Sequence, residues 1–141
     1  MNNFLNNSVL YVNLEQLRRN VGTLLKELEG GQLIPVLKGN AYGLGLERIG
    51  RELAAFPELR TFAVAQVSEG AVLRQAGVSQ DILVLGGVPE HLLAPAAELD
   101  LTLTVWRLGL LPRLAELGRA QGRPVKLQVK IETGLHRIGL M

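Results

Sequence analysis

Short apolar runs rich in β-branched residues alternate with helical patterns along almost the whole of this 141-residue chain. The runs are four to seven residues long and are predicted to be strands, at residues 8–12, 33–37, 61–65, 82–85, 101–105 and 125–131. Strands that alternate with helices at intervals of roughly 20–25 residues are typical of βα units around a parallel sheet. We therefore expect a single α/β domain built from about six βα units.

The predicted helices have recognisable starts and stops. Asn13 can cap the first helix, with Gln16 three residues later, and Pro57 marks the end of the second. Ser68 is a candidate cap for the third helix, and Gly77 suits the left-handed position that ends it. A further helix is expected within residues 107–120.

One lysine stands at the carboxyl end of the second predicted strand. Lys38 follows the apolar run at 33–37, and a glycine-rich turn with Tyr42 comes directly after it. Catalytic groups of barrel enzymes lie at the carboxyl ends of strands. Lysine in apolar surroundings can act as a nucleophile, and it is the side chain that forms Schiff bases. The alternative from composition alone is a solvated lysine at a strand end.

Two blocks of sequence together resemble the alanine racemase family. Residues 38–45, Lys-Gly-Asn-Ala-Tyr-Gly-Leu-Gly, are similar to the family's Lys-x-Asn-Ala-Tyr-Gly-x-Gly segment, which follows a barrel strand. Residues 130–139, Lys-Ile-Glu-Thr-Gly-Leu-His-Arg-Ile-Gly, are similar to its Lys-x-Asp-Thr-Gly-x-x-Arg-x-Gly segment. Residues 12–17 resemble the family's opening strand and helix. The resemblance covers essentially the whole chain.

The resemblance implies a cofactor and a role for four residues. Lys38 would hold pyridoxal 5'-phosphate and, once displaced by the substrate, act as one of two acid–base groups. Tyr42 would hydrogen-bond the cofactor phosphate, and Arg137 would approach its phenolic oxygen. Lys130 matches a lysine that is carbamylated (N-carboxylysine) in many members and that holds the arginine. From the residues alone, Tyr42 could equally be a rim aromatic and Lys130 a surface lysine on a strand.

The chain is short for this family, whose members have a (β/α)8 barrel followed by a β domain. A barrel alone takes about 250 residues, so we expect residues 1–141 to be the N-terminal part of one: an incomplete (β/α)8 TIM-type barrel without the C-terminal β domain. Racemisation needs bases on opposite faces of the cofactor. The family takes the second from a tyrosine of the partner subunit's β domain, and the only tyrosines here are Tyr11 and Tyr42.

Several functions therefore stay open. The resemblance implies alanine racemase, which interconverts L-alanine and D-alanine for peptidoglycan synthesis. Related racemases acting on serine, lysine or several amino acids share the same motifs, and a non-catalytic barrel that binds pyridoxal phosphate or an inert fragment are further alternatives. Expected partners are a small amino-acid substrate and either a second copy, as in the family's homodimers, or a complementary C-terminal half.

Composition excludes other classes of function. The chain has no cysteine, hence no disulfide or thiolate metal site, and His91 and His136 lack partners at metal-ligand spacing. The net charge is only +2 with scattered cations, so neither nucleic acid nor a membrane is an expected partner. Residues 1–7 lack the features of a leader, and a cytoplasmic location is expected. Glu69 and Glu132 have no neighbouring carboxylate in sequence and are assigned no acid role.

Overall fold

Four parallel strands form one sheet in the computed structural model, which describes residues 8–141. The strands lie side by side in chain order: β1 (Thr61–Val64), β2 (Asp81–Gly87), β3 (Leu101–Val105) and β4 (Leu127–Val129). The helices are α1 (Leu14–Glu27), α2 (Lys38–Tyr42), α3 (Leu46–Ala54), α4 (Val67–Gln75), α5 (Leu93–Glu98) and α6 (Leu111–Ala120). Because α4, α5 and α6 each join two neighbouring parallel strands, this α/β fold fits part of a (β/α)8 barrel.

The last four predicted strands are confirmed, whereas the first two are not, so the part of the chain that the structure describes has four strands and not six. Residues 8–12 pair with nothing among residues 8–141, and Tyr11 there is 89% exposed. Residues 33–37 make one bridge, between Val36 and Ala63. An apolar alternating run becomes a strand only where a neighbour accepts its backbone hydrogen bonds. Residues 1–7, expected to lack a leader, lie outside the described residues.

Helix starts depend on side chains that meet free backbone N–H groups. The predicted cap of α1 is confirmed, because the Gln16 N–H donates to Asn13 Oδ1 at 2.9 Å. The predicted cap of α4 is wrong: Ser68 lies inside the first turn, and Gln66 is the N-cap. Gln66 and Glu69 form a reciprocal capping box, each side chain accepting from the other's backbone N–H. These two reciprocal bonds satisfy more of the free N–H groups at the start of α4 than the single hydroxyl of Ser68 could.

The hydrophobic core lies between one face of the sheet and the helices. Strand residues of this face are fully buried, namely Phe62, Val64, Ile82, Val84, Leu101, Leu103 and Val105. Leu73 of α4 and Leu93 of α5 pack against them. Side chains alternate between the two faces of a strand. The intervening residues therefore point to the opposite side, where Ala65, Leu85 and Gln128 line a cavity.

Strand β4 is an edge of the described sheet, and its apolar side chains are exposed. Leu127 is 41% and Val129 is 58% exposed, and an apolar groove of about 570 Å³ runs between β4 and α6. An apolar strand edge is a template for pairing with another chain. We therefore expect the chain expressed alone to self-associate.

Light scattering across a dilution series measures this self-association. Val129→Lys should reduce it, because a charge on the edge strand opposes pairing. Val72→Lys, at an exposed position of helix α4, is the matched control and should leave it unchanged. A monomer with a sharp cooperative melt at dilute concentration would contradict the expectation.

An ion cluster joins the amino-terminal ends of β2, β3 and β4. Lys126 Nζ donates to Asp81 Oδ1 at 2.6 Å and to Asp100 Oδ2 at 2.8 Å, and Arg123 pairs with the other oxygen of Asp100. The hydrogen bond from Lys126 holds the pKa of Asp100 below its ordinary value, and the same bond raises the pKa of Lys126. The cluster therefore favours the charged forms of both partners.

Acid should weaken the fold through Asp100. A carboxyl whose pKa is lowered by folding contributes stability above its unfolded pKa of about 3.9 and loses it as the pH falls through the folded value. The free energy of unfolding should thus fall less between pH 7 and pH 3 in Asp100→Asn than in the unmodified chain. The difference should be about 1 kcal/mol or less, because the group is partly exposed. Asparagine suits the positive φ of 53° at this position.

Urea unfolding at pH 7 and pH 3, in the Val129→Lys background, measures this effect. Glu58→Gln, an exposed carboxylate outside the cluster, is the control. An unchanged acid dependence in Asp100→Asn would show that the cluster does not contribute.

Candidate functional site

The backbone after Lys38 forms a left-handed turn. Helix α2 consists of Lys38 and four residues, 39–42, whose φ angles are 64°, 56°, 53° and 54°. Left-handed conformation costs roughly 1–2 kcal/mol for each residue that has a Cβ atom. A turn of this kind persists only where surrounding contacts hold it.

Several contacts hold the turn. Asn40 Oδ1 accepts from the Leu46 N–H at 2.8 Å and so satisfies the start of helix α3. The Gly45 N–H donates to Asn40 O at 3.0 Å, and Ala41 is buried in the core with 4% of its surface exposed. Gly43, with a φ of 86°, continues the positive φ angles at the end of the turn. These bonds thus link the Lys38 segment to α3.

A cavity of about 380 Å³ opens at the carboxyl ends of the parallel segments. Lys38, Lys130 and Arg137 line it, together with uncharged residues: Ala65, Leu85, Gly86, Gln128 and Ile138. Lys130 is half-buried and directly follows β4, where its N–H donates to Val105 O at 2.9 Å. Three of the four site residues predicted from sequence therefore meet at one cavity.

The charged residues that line this cavity are all cationic. Its charged lining consists of two ammonium groups, from Lys38 and Lys130, and the guanidinium of Arg137, with no acidic side chain among its described lining residues. Cations that converge in a concave site concentrate a positive potential and attract anions. The cavity is suited to an anionic ligand that also offers a carbonyl group to an amine.

Tyr42, the fourth predicted residue, lies outside the cavity. Its ring is 66% exposed and borders an apolar groove formed with α1 and α3. The ring centroid lies 5.9 Å from Lys38 Nζ, within reach of a weak cation–π contact. Tyr42 therefore adjoins the lysine without lining the space that Lys38 shares with Arg137.

The two ends of the loop that carries Arg137 are hydrogen-bonded to each other. Ile131 and Leu140 form a bridge, and the Glu132 N–H donates to Leu140 O at 2.8 Å. A Cβ atom at Gly139, where φ is 154°, would lie 2.6 Å from the Glu132 backbone nitrogen, so glycine is required for this approach. The loop returns to the end of β4 and brings Arg137 over the cavity.

Glu132 organises this loop, a role that sequence reasoning missed. Its carboxylate accepts from the backbone N–H of Gly134 at 2.7 Å and of Arg137 at 3.2 Å. Hydrogen bonds from the backbone of His136 and then Gly134 lower the pKa of Glu132. The sequence offered no established signal for this role, because the turn in which a side chain bonds its own backbone two residues on is a pattern of Asp and Asn.

Glu69 is the second carboxylate that sequence reasoning left without a role. It contacts the backbone N–H groups of Gly39, Ala65 and Gln66 and thereby joins the turn after Lys38 to the end of β1. Its position three residues after a polar N-cap residue was a capping-box signal. The bond to Gly39 had no signal in the sequence, because the two residues are distant along the chain.

Other classes of site have no support in the described part of the chain. Residues 8–141 contain no group of three or more His, Asp or Glu placed to hold a metal ion, and His91 and His136 are exposed. None of the helices in this range is long and apolar enough to cross a bilayer.

Comparison with known proteins agrees with the two sequence blocks. Residues 12–141 match the family model described as alanine racemase, N-terminal domain. An alanine racemase of Aquifex aeolicus is 36% identical over 134 residues, which are 95% of this chain and 38% of that protein. One from Xanthomonas campestris is 41% identical over 130 residues, or 92% and 35% of the two chains.

A solved structure gives the same result. The alanine racemase of Clostridium difficile superposes with a TM-score of 0.85 and 30% identity, covering 95% of this chain and 37% of that one. The chain thus spans little more than a third of the length of these relatives. The resemblance inferred from sequence is confirmed, and the chain belongs to the alanine racemase family.

Proposed function

We propose that this chain is the part of an alanine racemase that carries the cofactor lysine. Residues 1–141 would form the N-terminal part of the barrel that binds pyridoxal 5'-phosphate, in an enzyme that interconverts L-alanine and D-alanine for peptidoglycan synthesis. The observation that carries the proposal is the meeting of Lys38, Lys130 and Arg137, from opposite ends of the chain, at one cavity. The family supplies the identity of the reaction.

The residues at the cavity fit this cofactor chemically. Pyridoxal phosphate has an aldehyde, an ionisable phenolic oxygen and a phosphate. The amine of Lys38 suits the aldehyde, and the guanidinium of Arg137 suits the phenolic oxygen, because a nearby cation favours its ionised form. Tyr42 is proposed to bond the phosphate, a role that rests on the resemblance alone because its ring borders a different groove.

The proposal gives Lys38 and Arg137 separate tasks. When bound, the cofactor supplies an electron sink for negative charge that develops at the substrate's α-carbon. The amine of Lys38 would hold the cofactor and, when free, would take or return a proton on its own side of the substrate's α-carbon. Arg137 stays over the cavity because the loop closed by Glu132 holds it.

Lys130 is proposed to be carbamylated. As an ammonium it would be a third cation beside Lys38 and Arg137. Carbamylation would make it an anion, which can orient the guanidinium of Arg137 through charge-assisted hydrogen bonds. Its half-buried position at the end of β4, on the cavity side, fits this role better than that of a solvated surface lysine.

The second base is proposed to come from elsewhere. Racemisation requires a proton donor on the face opposite Lys38. Tyr11 is exposed in the segment before α1, and Tyr42 lies in the left-handed turn, so neither is placed for this task. A second subunit or a complementary C-terminal half would supply it. The proposed substrate is a small amino acid, and the family indicates alanine. Serine, lysine or several amino acids, the substrates of related racemases, are the alternatives.

A second candidate function has one observation in its favour. The described residues that line the cavity include no tyrosine, so Lys38 is the one base that the proposal assigns there. A barrel that binds pyridoxal phosphate without racemising anything would need no other. Cofactor fixed at Lys38 without racemisation, even after the C-terminal part of a relative is supplied, would favour this alternative.

The position at which the cofactor becomes fixed tests the proposal. The chain is incubated with pyridoxal phosphate, reduced with borohydride and digested, and the labelled peptides are identified by mass spectrometry. The label should lie on the peptide containing Lys38. Labelling spread evenly over the lysines of the chain would overturn the proposal.

A further inference from the structure

We propose that Glu69 is a positioning residue for Lys38: its carboxylate, from outside the cavity, fixes the left-handed turn that directs the lysine into the cavity. The inference rests on the proposed function for what the amine of Lys38 does. Its structural part, that Glu69 holds the turn, stands independently of that function.

The geometry is a carboxylate shared by two backbone segments. Glu69 Oε1 accepts from the Gly39 N–H at 2.6 Å, and Oε2 accepts from the N–H groups of Ala65 at 2.8 Å and Gln66 at 3.1 Å. Gly39 directly follows Lys38, and Ala65 lines the cavity that Lys38 shares. Glu69 is half-buried on α4. One side chain thus ties the residue after the lysine to the end of β1.

The turn depends on this tie for two physical reasons. The Gly39 N–H lies in the first turn of α2, where backbone donors have no acceptor within the helix, so it needs one from outside. Residues 39–42 are all left-handed, which is unfavourable for the three that carry a Cβ atom. Hydrogen bonds to an ionised carboxylate are stronger than those to neutral groups. Losing the bond should let the turn relax.

A plain helix cap would explain only part of this arrangement. Glu69 belongs to the capping box of α4, in which the Gln66 side chain accepts from the Glu69 N–H. That second bond does not involve Gly39. Gln66→Ala therefore weakens the start of α4 while it leaves the Glu69–Gly39 bond in place. The two roles of Glu69 can be separated by experiment.

The informative variant is Glu69→Gln, which keeps the size and shape of the side chain. An amide has one acceptor oxygen, and its nitrogen only donates. Glutamine can therefore accept from Gly39 or from the pair at residues 65 and 66, but not from both sides. Glu69→Asp, shorter by one methylene group, should also fail to reach both segments.

Two measurements, both read on peptides after digestion, test the inference, and both are made in the Val129→Lys background to limit self-association of the intact chain. Hydrogen exchange read on overlapping peptides across residues 38–45 reports the turn. Exchange at Gly39 and its neighbours should be about tenfold faster or more in Glu69→Gln, and unchanged in Gln66→Ala. The rate at which pyridoxal phosphate and borohydride label Lys38, followed against pH, should fall by a similar factor in Glu69→Gln alone.

The outcomes are distinct. Equal exchange across residues 38–45 in Glu69→Gln and Gln66→Ala would overturn the inference and leave Glu69 as a helix cap. Faster exchange in Glu69→Gln with an unchanged labelling rate at Lys38 would also overturn it, because the turn would then not position the lysine. If the unmodified chain fails to label Lys38 selectively, the proposed function fails, and the exchange data still decide whether Glu69 holds the turn.

Discussion

Replacing Lys38 with alanine should abolish the label that borohydride fixes in the presence of pyridoxal phosphate. The chain has four lysines, Lys26, Lys38, Lys126 and Lys130. Lys126 is held by the carboxylates of Asp81 and Asp100. Lys38 alone both lines the cationic cavity and directly precedes the left-handed turn. If labelling depends on the cavity around Lys38 and not on the general exposure of lysines, replacing Lys38 removes the whole label.

Two further variants make this result specific. Lys26→Ala, on the exposed surface of α1, is the matched control and should leave the label at Lys38 unchanged. Lys130→Ala tests the lysine that shares the cavity and should also retain the label on Lys38. Mass spectrometry of the digested chain gives the position and amount of the label. A label that persists in Lys38→Ala, or that moves in full to Lys130, would show that Lys38 is not the cofactor lysine.

The chain alone should not racemise alanine efficiently. In the proposed function Lys38 would be the base on one face of the cofactor, and neither Tyr11 nor Tyr42 lines the cavity. A positioned general acid or base typically contributes about 10²–10⁴-fold to the rate. We therefore expect a rate lower by at least this factor than that of a complete racemase, when L-alanine and pyridoxal phosphate are supplied and D-alanine is measured.

A supplied C-terminal part turns this into a positive experiment. The chain matches only 38% of the Aquifex aeolicus enzyme, so the remainder of that relative can be provided as a separate polypeptide. D-alanine should then form, and Lys38→Ala in the mixture should prevent it. Turnover by the chain alone that equals a complete racemase would mean that a second base exists in this sequence. Supplying serine or lysine in place of alanine in the same mixture tests whether the chain belongs to a related racemase with another substrate.

The strands and the family could be predicted because their signals are local. Period-two apolar runs locate β1, β2 and β3 to within a few residues, since burial of one face depends on the alternation itself. Asn13 is recognisable as a cap because its acceptor meets an N–H three residues away. The blocks at residues 38–45 and 130–139 likewise identify the family from residues that are adjacent in sequence.

Predictions failed for two different physical reasons. The run at residues 8–12 has a strand pattern, but no described segment lies beside it to complete a ladder. Ser68 looks like a cap in isolation, whereas the reciprocal bonds between Gln66 and Glu69 decide where α4 begins. In the first case a neighbouring strand is lacking among the described residues, and in the second a local pair of residues, Gln66 and Glu69, provides the cap in place of Ser68.

The sequence by itself determined that this protein is an α/β chain of the alanine racemase family with a lysine at a strand end, because residue types and short spacings carry that information. Only the tertiary structure decided that Lys38, Lys130 and Arg137 share a cavity while Tyr42 stands outside it. It also decided that residues 39–42 are left-handed and that Glu69 holds them. These features depend on backbone groups brought together from distant segments, and no spacing along the chain encodes such contacts directly.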